Sequence, residues 1–179
     1  MVIFLIGYMG SGKSYYAEKI ASVMQIPYVD LDAVIEQEEG MSINNIFKQR
    51  GEVEFRQLES VILRRQYEKL IRIPPPENSL SYVGLIACGG GTPCFHDNMN
   101  WMNEHGLTVW INPSAAILKE RLKNEKAKRP LIAELTDDEF TSFVDAQLMS
   151  RAKYYSLSKI QITNTELTIR QIINQIQHA

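Results

Sequence analysis

A chain of 179 residues suits one domain with a sizeable core, taken here as 1–179, and 45% hydrophobic with 22% charged residues is an ordinary globular balance. The formal net charge of −2, with no clustered basic excess, argues against a nucleic-acid binder. No stretch reaches the roughly 18–20 apolar residues of a membrane helix, and the opening MVIFLIG lacks a charged leader and a cleavage site, so a soluble cytoplasmic protein is expected.

In chain order, residues 2–6 are a continuous apolar run, the pattern of a strand buried on both faces. A helix is expected over 13–24, a short strand over 27–30, and a helix over 33–40. Ser42 caps a short helix ending near Arg50 and Gly51, and 52–72 reads as a long amphipathic helix. Three prolines in RIPPPENSLS, 72–81, end it in a surface loop without a PxxP spacing. A third strand over 83–87 runs into a glycine triplet. A helix from Asp97 or Asn98 to Glu104, a strand over 107–111 and a helix capped by Ser114 to Lys123 follow. The segment KNEKAKRPLIAEL is basic; beyond it come a helix over 137–155, a strand over 160–163 and a helix over 167–177. Strands alternating with helices imply an α/β fold with a mostly parallel sheet covered on both faces.

GYMGSGKS, Gly7 to Ser14, matches G-x-x-x-x-G-K-[ST] and stands between an apolar strand and a helix. Glycines there let successive N–H groups turn inward around phosphate oxygens, and the helix start adds a favourable partial charge. Lys13 is placed to reach the β- and γ-phosphates and Ser14 to ligate Mg²⁺. The nucleotide-binding set is Gly10, Ser11, Gly12, Lys13, Ser14 and Tyr15. A GTPase would need N-K-x-D, which is absent, and neither the third nor the fourth strand ends in the acid of an ATPase motor.

VDLDAVIEQ sets Asp30 and Asp32 at the carboxyl end of the second strand, where ligands sit in open α/β sheets. One acid can support the metal through water and the other can accept a hydroxyl proton; equally, both can be helix-start acids that satisfy free N–H groups. GEVEFRQLE places Arg56 and Glu59 on one helix face, and RAKYY supplies Arg151. Two arginines converging on a pocket would grip a carboxylate, while either alone is an ordinary surface residue. Cys88 and Cys94 flank the triplet Gly89 to Gly91 without a CxxC spacing or a second ligand pair, so they read as reduced thiols rather than a redox or zinc site. The triplet is then either a backbone floor beneath a ligand or a hinge.

GxxGxGKS, DxD, GExxFRxxE, GGG, RPL and RxxxY, in this order and over nearly the whole chain, resemble shikimate kinase. The resemblance implies a three-layer P-loop kinase fold of the nucleoside-monophosphate-kinase type, with a five-stranded parallel sheet in order 2-3-1-4-5. It implies transfer of the γ-phosphoryl group of MgATP to the 3-hydroxyl of shikimate, on the pathway to chorismate and aromatic amino acids. On it, Asp32, Arg56, Arg151, Gly89, Gly90 and Gly91 match shikimate-binding residues, and Glu59 orients Arg56. Asp30 matches the acid that supports Mg²⁺ through water, Arg129 the lid arginine and Arg121 the adenine-stacking arginine. Lys13, Asp32 and Arg129 form the catalytic set, with a shikimate-binding region over 32–61 and a lid over 123–135. ATP and shikimate are the expected partners of a monomer, with neither nucleic acid nor membrane involved. In the family a Ser or Thr often precedes the triplet, whereas this chain has Ala87 and Cys88. Another small-molecule P-loop kinase, for gluconate or a nucleotide, and a nucleotide-binding module without chemistry are the alternatives.

Overall fold

The computed structural model describes residues 1–74, 82–126, 130–164 and 166–178, with the side chains of Pro130 and Leu131 left aside. Five parallel strands run in the order β2-β3-β1-β4-β5: β1 (Val2–Ile6), β2 (Tyr28–Asp30), β3 (Gly84–Ala87), β4 (Gly106–Ile111) and β5 (Ile160–Ile162). This is the three-layer architecture and strand order that the family resemblance implies. Every residue of β1 is buried, because the central strand is covered on both sides. Its side chains alternate: Val2, Phe4 and Ile6 enter one core layer, Ile3 and Leu5 the other.

The second layer is closed by α1 (Lys13–Met24) and α8 (Ile169–Gln177), whose Ile20, Ala21, Ile172 and Ile176 pack on Ile3 and Leu5. Against the other face lie α2 (Leu31–Glu39), α3 (Ile43–Ile71), α4 (Asn98–His105), α5 (Ala115–Asn124), the short α6 (Pro130–Ala133) and α7 (Asp137–Tyr155). Ser42, Ser114, Thr136 and Thr168 accept hydrogen bonds from N–H groups of the helices they precede. Thr136 and Thr168 also form reciprocal capping boxes with Glu139 and Gln171.

Beyond shifts of one or two residues at several ends, three features differ from the sequence expectation. Helix α2 starts at Leu31 rather than Ala33, because the Asp30 carboxylate accepts from Ala33 N and starts the helix directly after β2. The two helices expected around Gly51 are joined in α3, with the break kept at Gly51 (φ 78°, ψ 173°), a conformation open to glycine. A 3₁₀ turn, Thr92–Cys94, follows the triplet and was not anticipated. Residues 75–81 of the proline-containing loop and 127–129 of the expected lid, Arg129 among them, lie outside the described residues. In the described part of 123–135, Ile132 is fully buried in the core, Lys123 pairs with Asp137 at 2.7 Å, and Lys126 donates to the Leu135 carbonyl.

Where β4 meets β5, the buried Thr108 hydroxyl donates to Asn103 Oδ1 (2.5 Å) and accepts from Lys159 N (3.0 Å). Thr108→Val keeps the shape and removes both bonds, leaving an N–H and an amide oxygen without that partner. Urea unfolding should show a loss of about 1–3 kcal/mol; an unchanged midpoint would mean that water replaces the hydroxyl.

Candidate active site

Strand β1 delivers the chain to Gly7, and the loop to Gly12 turns with Gly10 and Gly12 at φ 77° and 94°, values that side chains disfavour. Gly12 precedes α1 and offers no side-chain cap, so the first N–H groups of that helix face the loop without one. Lys13 Nζ donates to the carbonyl oxygens of Gly7 and Tyr8, both at 2.9 Å. Arg121 reaches over from α5 to the carbonyls of Gly10 and Ser11 at 3.3 Å each. Ser14 Oγ donates to Asp30 Oδ2 at 2.7 Å.

One Asp30 carboxylate oxygen caps α2, the helix-start role that the sequence left open, and the other accepts from Ser14. The Ser14–Asp30 pair sets two hard oxygen donors side by side. Among the described residues no group of three His, Cys, Asp or Glu side chains is arranged to hold a metal ion by itself. An ion held here would complete its shell with water and phosphate oxygens, which fits Mg²⁺.

A cleft of about 680 Å³ extends from this loop to the ends of β2 and β3. Gly10, Gly12, Lys13, Ser14, Tyr15, Asp30, Asp32, Gly90 and Arg121 line it, along with Ala87 and Cys88, while Ser11 is fully buried. Gly89, Gly91, Arg56 and Arg151 adjoin it around the triplet. A Cβ on Gly89 would stand 2.7 Å from Glu59 Oε1 and 2.8 Å from Asp32 Oδ1; one on Gly91 would stand 2.5 Å from Arg56 Cζ. On Gly90 it would lie 3.3 Å from Arg151 Nη1. The space left by the absent side chains is filled by the protein's own carboxylates and guanidinium groups. None of the three glycines has a positive φ. The Gly90 carbonyl accepts from Tyr155 Oη, and those of Gly89 and Gly91 accept from Thr92 N and Cys94 N. Pinned in this way, the triplet is a poor hinge.

Arg56 and Arg151 reach the triplet from α3 and α7, a convergence that the sequence could not show. Arg56 is almost wholly buried, with Nη1 on Glu59 Oε2 at 2.9 Å and its Cζ 4.6, 5.0 and 5.6 Å from the ring centres of Phe95, Phe55 and Phe47. Glu59, fully buried, takes its second bond from Thr92 Oγ1 at 2.6 Å. The network continues through Thr92 O to Asn98 Nδ2 (2.9 Å) and from Asn98 Oδ1 to Ser60 Oγ (2.9 Å). Arg151 lies over the Tyr8 ring at 5.3 Å. Sequence reasoning missed Glu52, Thr92, Asn98 and Tyr155. Glu52, four residues before Arg56, and Tyr155 stand in the motifs GExxFRxxE and RxxxY, whereas Thr92 and Asn98 carried no signal.

Burial, followed by the charge of Glu59, raises the Asp32 carboxyl to about 6; Asp30 pushes the same way, while Lys13 and Arg56 oppose the rise. Burial also raises both cysteine thiols, which gives no thiolate nucleophile at neutral pH.

These features meet known proteins at one point. A family profile described as shikimate kinase matches residues 9–179. The chain belongs to the shikimate kinase family. It is 37% identical to a shikimate kinase of Phocaeicola vulgatus over 88% of this chain and 83% of that protein. It is 35% identical to one of Bacteroides thetaiotaomicron over 98% and 94%. The 1.7 Å crystal structure of a shikimate kinase from Bacteroides thetaiotaomicron superposes with a TM-score of 0.84 at 34% identity, covering 99% of this chain and 97% of that one. Membership makes the chain an ATP-dependent kinase, which removes the non-catalytic module as a reading.

The Asp32 shift has a consequence for this kinase's stability. Its carboxyl binds a proton more tightly when folded (about 6) than at its ordinary value of 3.8, so stability is fullest below pH 4 on this account and is lost as pH rises through 6. Asp32→Asn, neutral throughout, should stabilise the fold at pH 7.5 by on the order of 1–3 kcal/mol and have little effect at pH 3.5. Thermal melts at the two pH values check this; equal effects at both would show that Asp32 is not held at a raised value.

Proposed function

We propose that this chain transfers the γ-phosphoryl group of ATP to the 3-hydroxyl of shikimate, and that it works as a cytoplasmic monomer. One observation carries the reading: Arg56 and Arg151 meet at the glycine triplet, beside Asp32 and across a continuous cleft from Lys13. Shikimate is a carboxylic acid bearing ring hydroxyls, and it needs at once a cationic grip and a hydroxyl acceptor. The compartment is supported by two free cysteines.

In this reading the two guanidinium groups hold the acceptor's carboxylate and the backbone of Gly90 supports its ring, while Gly89 and Gly91 make room for Asp32, Glu59 and Arg56 beside it. Asp32 accepts a hydrogen bond from the reacting hydroxyl and orients it; the loose transition state of phosphoryl transfer asks little more of a base. The N–H groups of Gly10, Ser11, Gly12, Lys13, Ser14 and Tyr15 surround the phosphates. Lys13 exchanges its two carbonyl partners for phosphate oxygens, following the charge as it moves toward the leaving group. Ser14, and Asp30 through water, would hold Mg²⁺, which when bound neutralises phosphate charge. Arg121 lies beside the adenine. Arg129, in the expected lid over 123–135, belongs to this reading as a further cation for the transferred group.

Two experiments test this. A coupled assay of ADP release should show turnover that depends on shikimate, and Lys13→Ala should remove at least about 99% of it, a loss of roughly 3 kcal/mol in transition-state binding, while the protein melts normally. ADP release indifferent to shikimate would overturn the reading. In addition, Arg56→Lys or Arg151→Lys keeps the charge but loses the planar fork. Each should raise the KM for shikimate by about 30-fold or more, on the scale of a buried charge pair, with little change in the KM for ATP. Unaltered shikimate KM in both variants would take these arginines out of the acceptor site.

A further inference from the structure

The Arg56 guanidinium already has a carboxylate on the fork through which arginine grips one. Nε and Nη2 both donate to Glu52 Oε1 at 3.2 Å. We propose that Glu52 is a built-in stand-in for the acceptor's carboxylate, masking Arg56 in the empty site and leaving when the acceptor arrives. This rests on the reading of Arg56 as the acceptor's anchor and adds to it a residue that sets how tightly, and for what, the anchor is available.

Three observations separate masking from ordinary support. First, the position of Arg56 is fixed without Glu52. Nη1 is bonded to the buried Glu59, the guanidinium lies against Gly91, and the rings of Phe95, Phe55 and Phe47 surround it. Second, the two partners differ in their freedom to leave. The Glu59 side chain has no exposure, whereas that of Glu52 is 55% exposed. A buried carboxylate cannot move away from its cation without a large desolvation penalty, but a half-exposed one is rehydrated at once. Third, Glu52 has somewhere to go. It follows the break at Gly51, at the start of the second half of α3, with its side chain half exposed. No atom beyond the chain neighbours lies within 4 Å of a Cβ built on Gly51, so the break is open to solvent.

An arriving carboxylate therefore replaces like with like. The N–H groups of the fork are never left without an acceptor, and the acceptor's gain is the difference between its own pairing and that of Glu52. A ligand of similar shape without a carboxylate has nothing to exchange. Glu52 thereby lowers affinity for the acceptor and raises the demand for an anionic group.

The test measures shikimate binding by calorimetry without nucleotide, together with kcat and KM at saturating MgATP, for wild type, Glu52→Gln and Glu52→Ala. Both substitutions remove an exposed charge, and melting curves check that the fold is retained. Masking predicts that both variants bind shikimate about two- to five-fold tighter, the range of an exposed ion pair, with the gain in KM rather than in kcat. A supporting residue would give the opposite sign. Weaker or equal binding in both variants, against measurable binding in wild type, overturns the masking role and leaves the proposed reaction standing. Wild type that neither binds nor phosphorylates shikimate overturns the reading and this inference together.

Discussion

Glu59 places a carboxylate with no solvent exposure between helix α3 and the glycine triplet, and the surroundings of Arg56 are arranged around that fact. A buried acid is tolerated when both oxygens have partners. Here one oxygen takes Arg56 and the other takes Thr92, so the pair ties α3 to the turn after β3. Thr92 in turn holds Asn98 through its carbonyl, and Asn98 bonds Ser60, one residue from Glu59 on α3. The loop of polar contacts closes on itself. Its rigidity fixes where the Arg56 guanidinium points before any ligand arrives, and the missing side chains of Gly89 and Gly91 make room for the arrangement.

The sheet supplies the other half of the geometry. Asp30 of β2 stands opposite Ala87 of β3, and Ala87 stands opposite Leu5 of β1. The phosphate loop, the DxD acids and the triplet therefore all leave the sheet at one edge within a few residues of register. Parallel strands put every carboxyl end on the same side, which is why an open α/β sheet collects its ligands there. Asp30 joins the two halves chemically, because its two oxygens serve the start of α2 and Ser14 at the same time.

How legible this was depends on the range of the interaction. The phosphate loop and its flanking strand and helix could be read in full, because the motif, the buried run and the helix lie within about one turn of one another in the chain. Strand order came with the family resemblance, not with any residue pattern. Asp30 and Asp32 were legible as residues but not as roles: nothing in VDLDAVIEQ says that the first would cap α2 while the second faces the cleft. The convergence of Arg56 and Arg151 was out of reach, since it brings α3 and α7 together across many intervening residues. Thr92 and Asn98 look like ordinary turn residues, and only their burial marks them out. The first two residues of α2 escape the sequence pattern because Asp30 ends a strand while its side chain also begins the helix.

Three cations of the site share a further property. Lys13 holds the carbonyls of Gly7 and Tyr8, Arg121 those of Gly10 and Ser11, and Arg56 the carboxylates of Glu52 and Glu59. Each already has oxygen acceptors of the chain itself. A bare cation in a half-buried cleft would bind any anion in reach and would repel its neighbours in the meantime. Cations already satisfied by internal oxygens bind by exchange, so a ligand gains only as far as its own geometry exceeds theirs. On the proposed reading this favours a triphosphate, which meets Lys13 and several N–H groups at once, over a single small anion. It also makes the preorganisation of the site compatible with an Asp32 whose carboxyl is raised: the positive charge nearby is partly spent on other oxygens, so burial and the acids Glu59 and Asp30 prevail. On the same reading, phosphates that draw Lys13 from its carbonyls also change the balance of charge around Asp32, so that the two ends of the cleft are coupled.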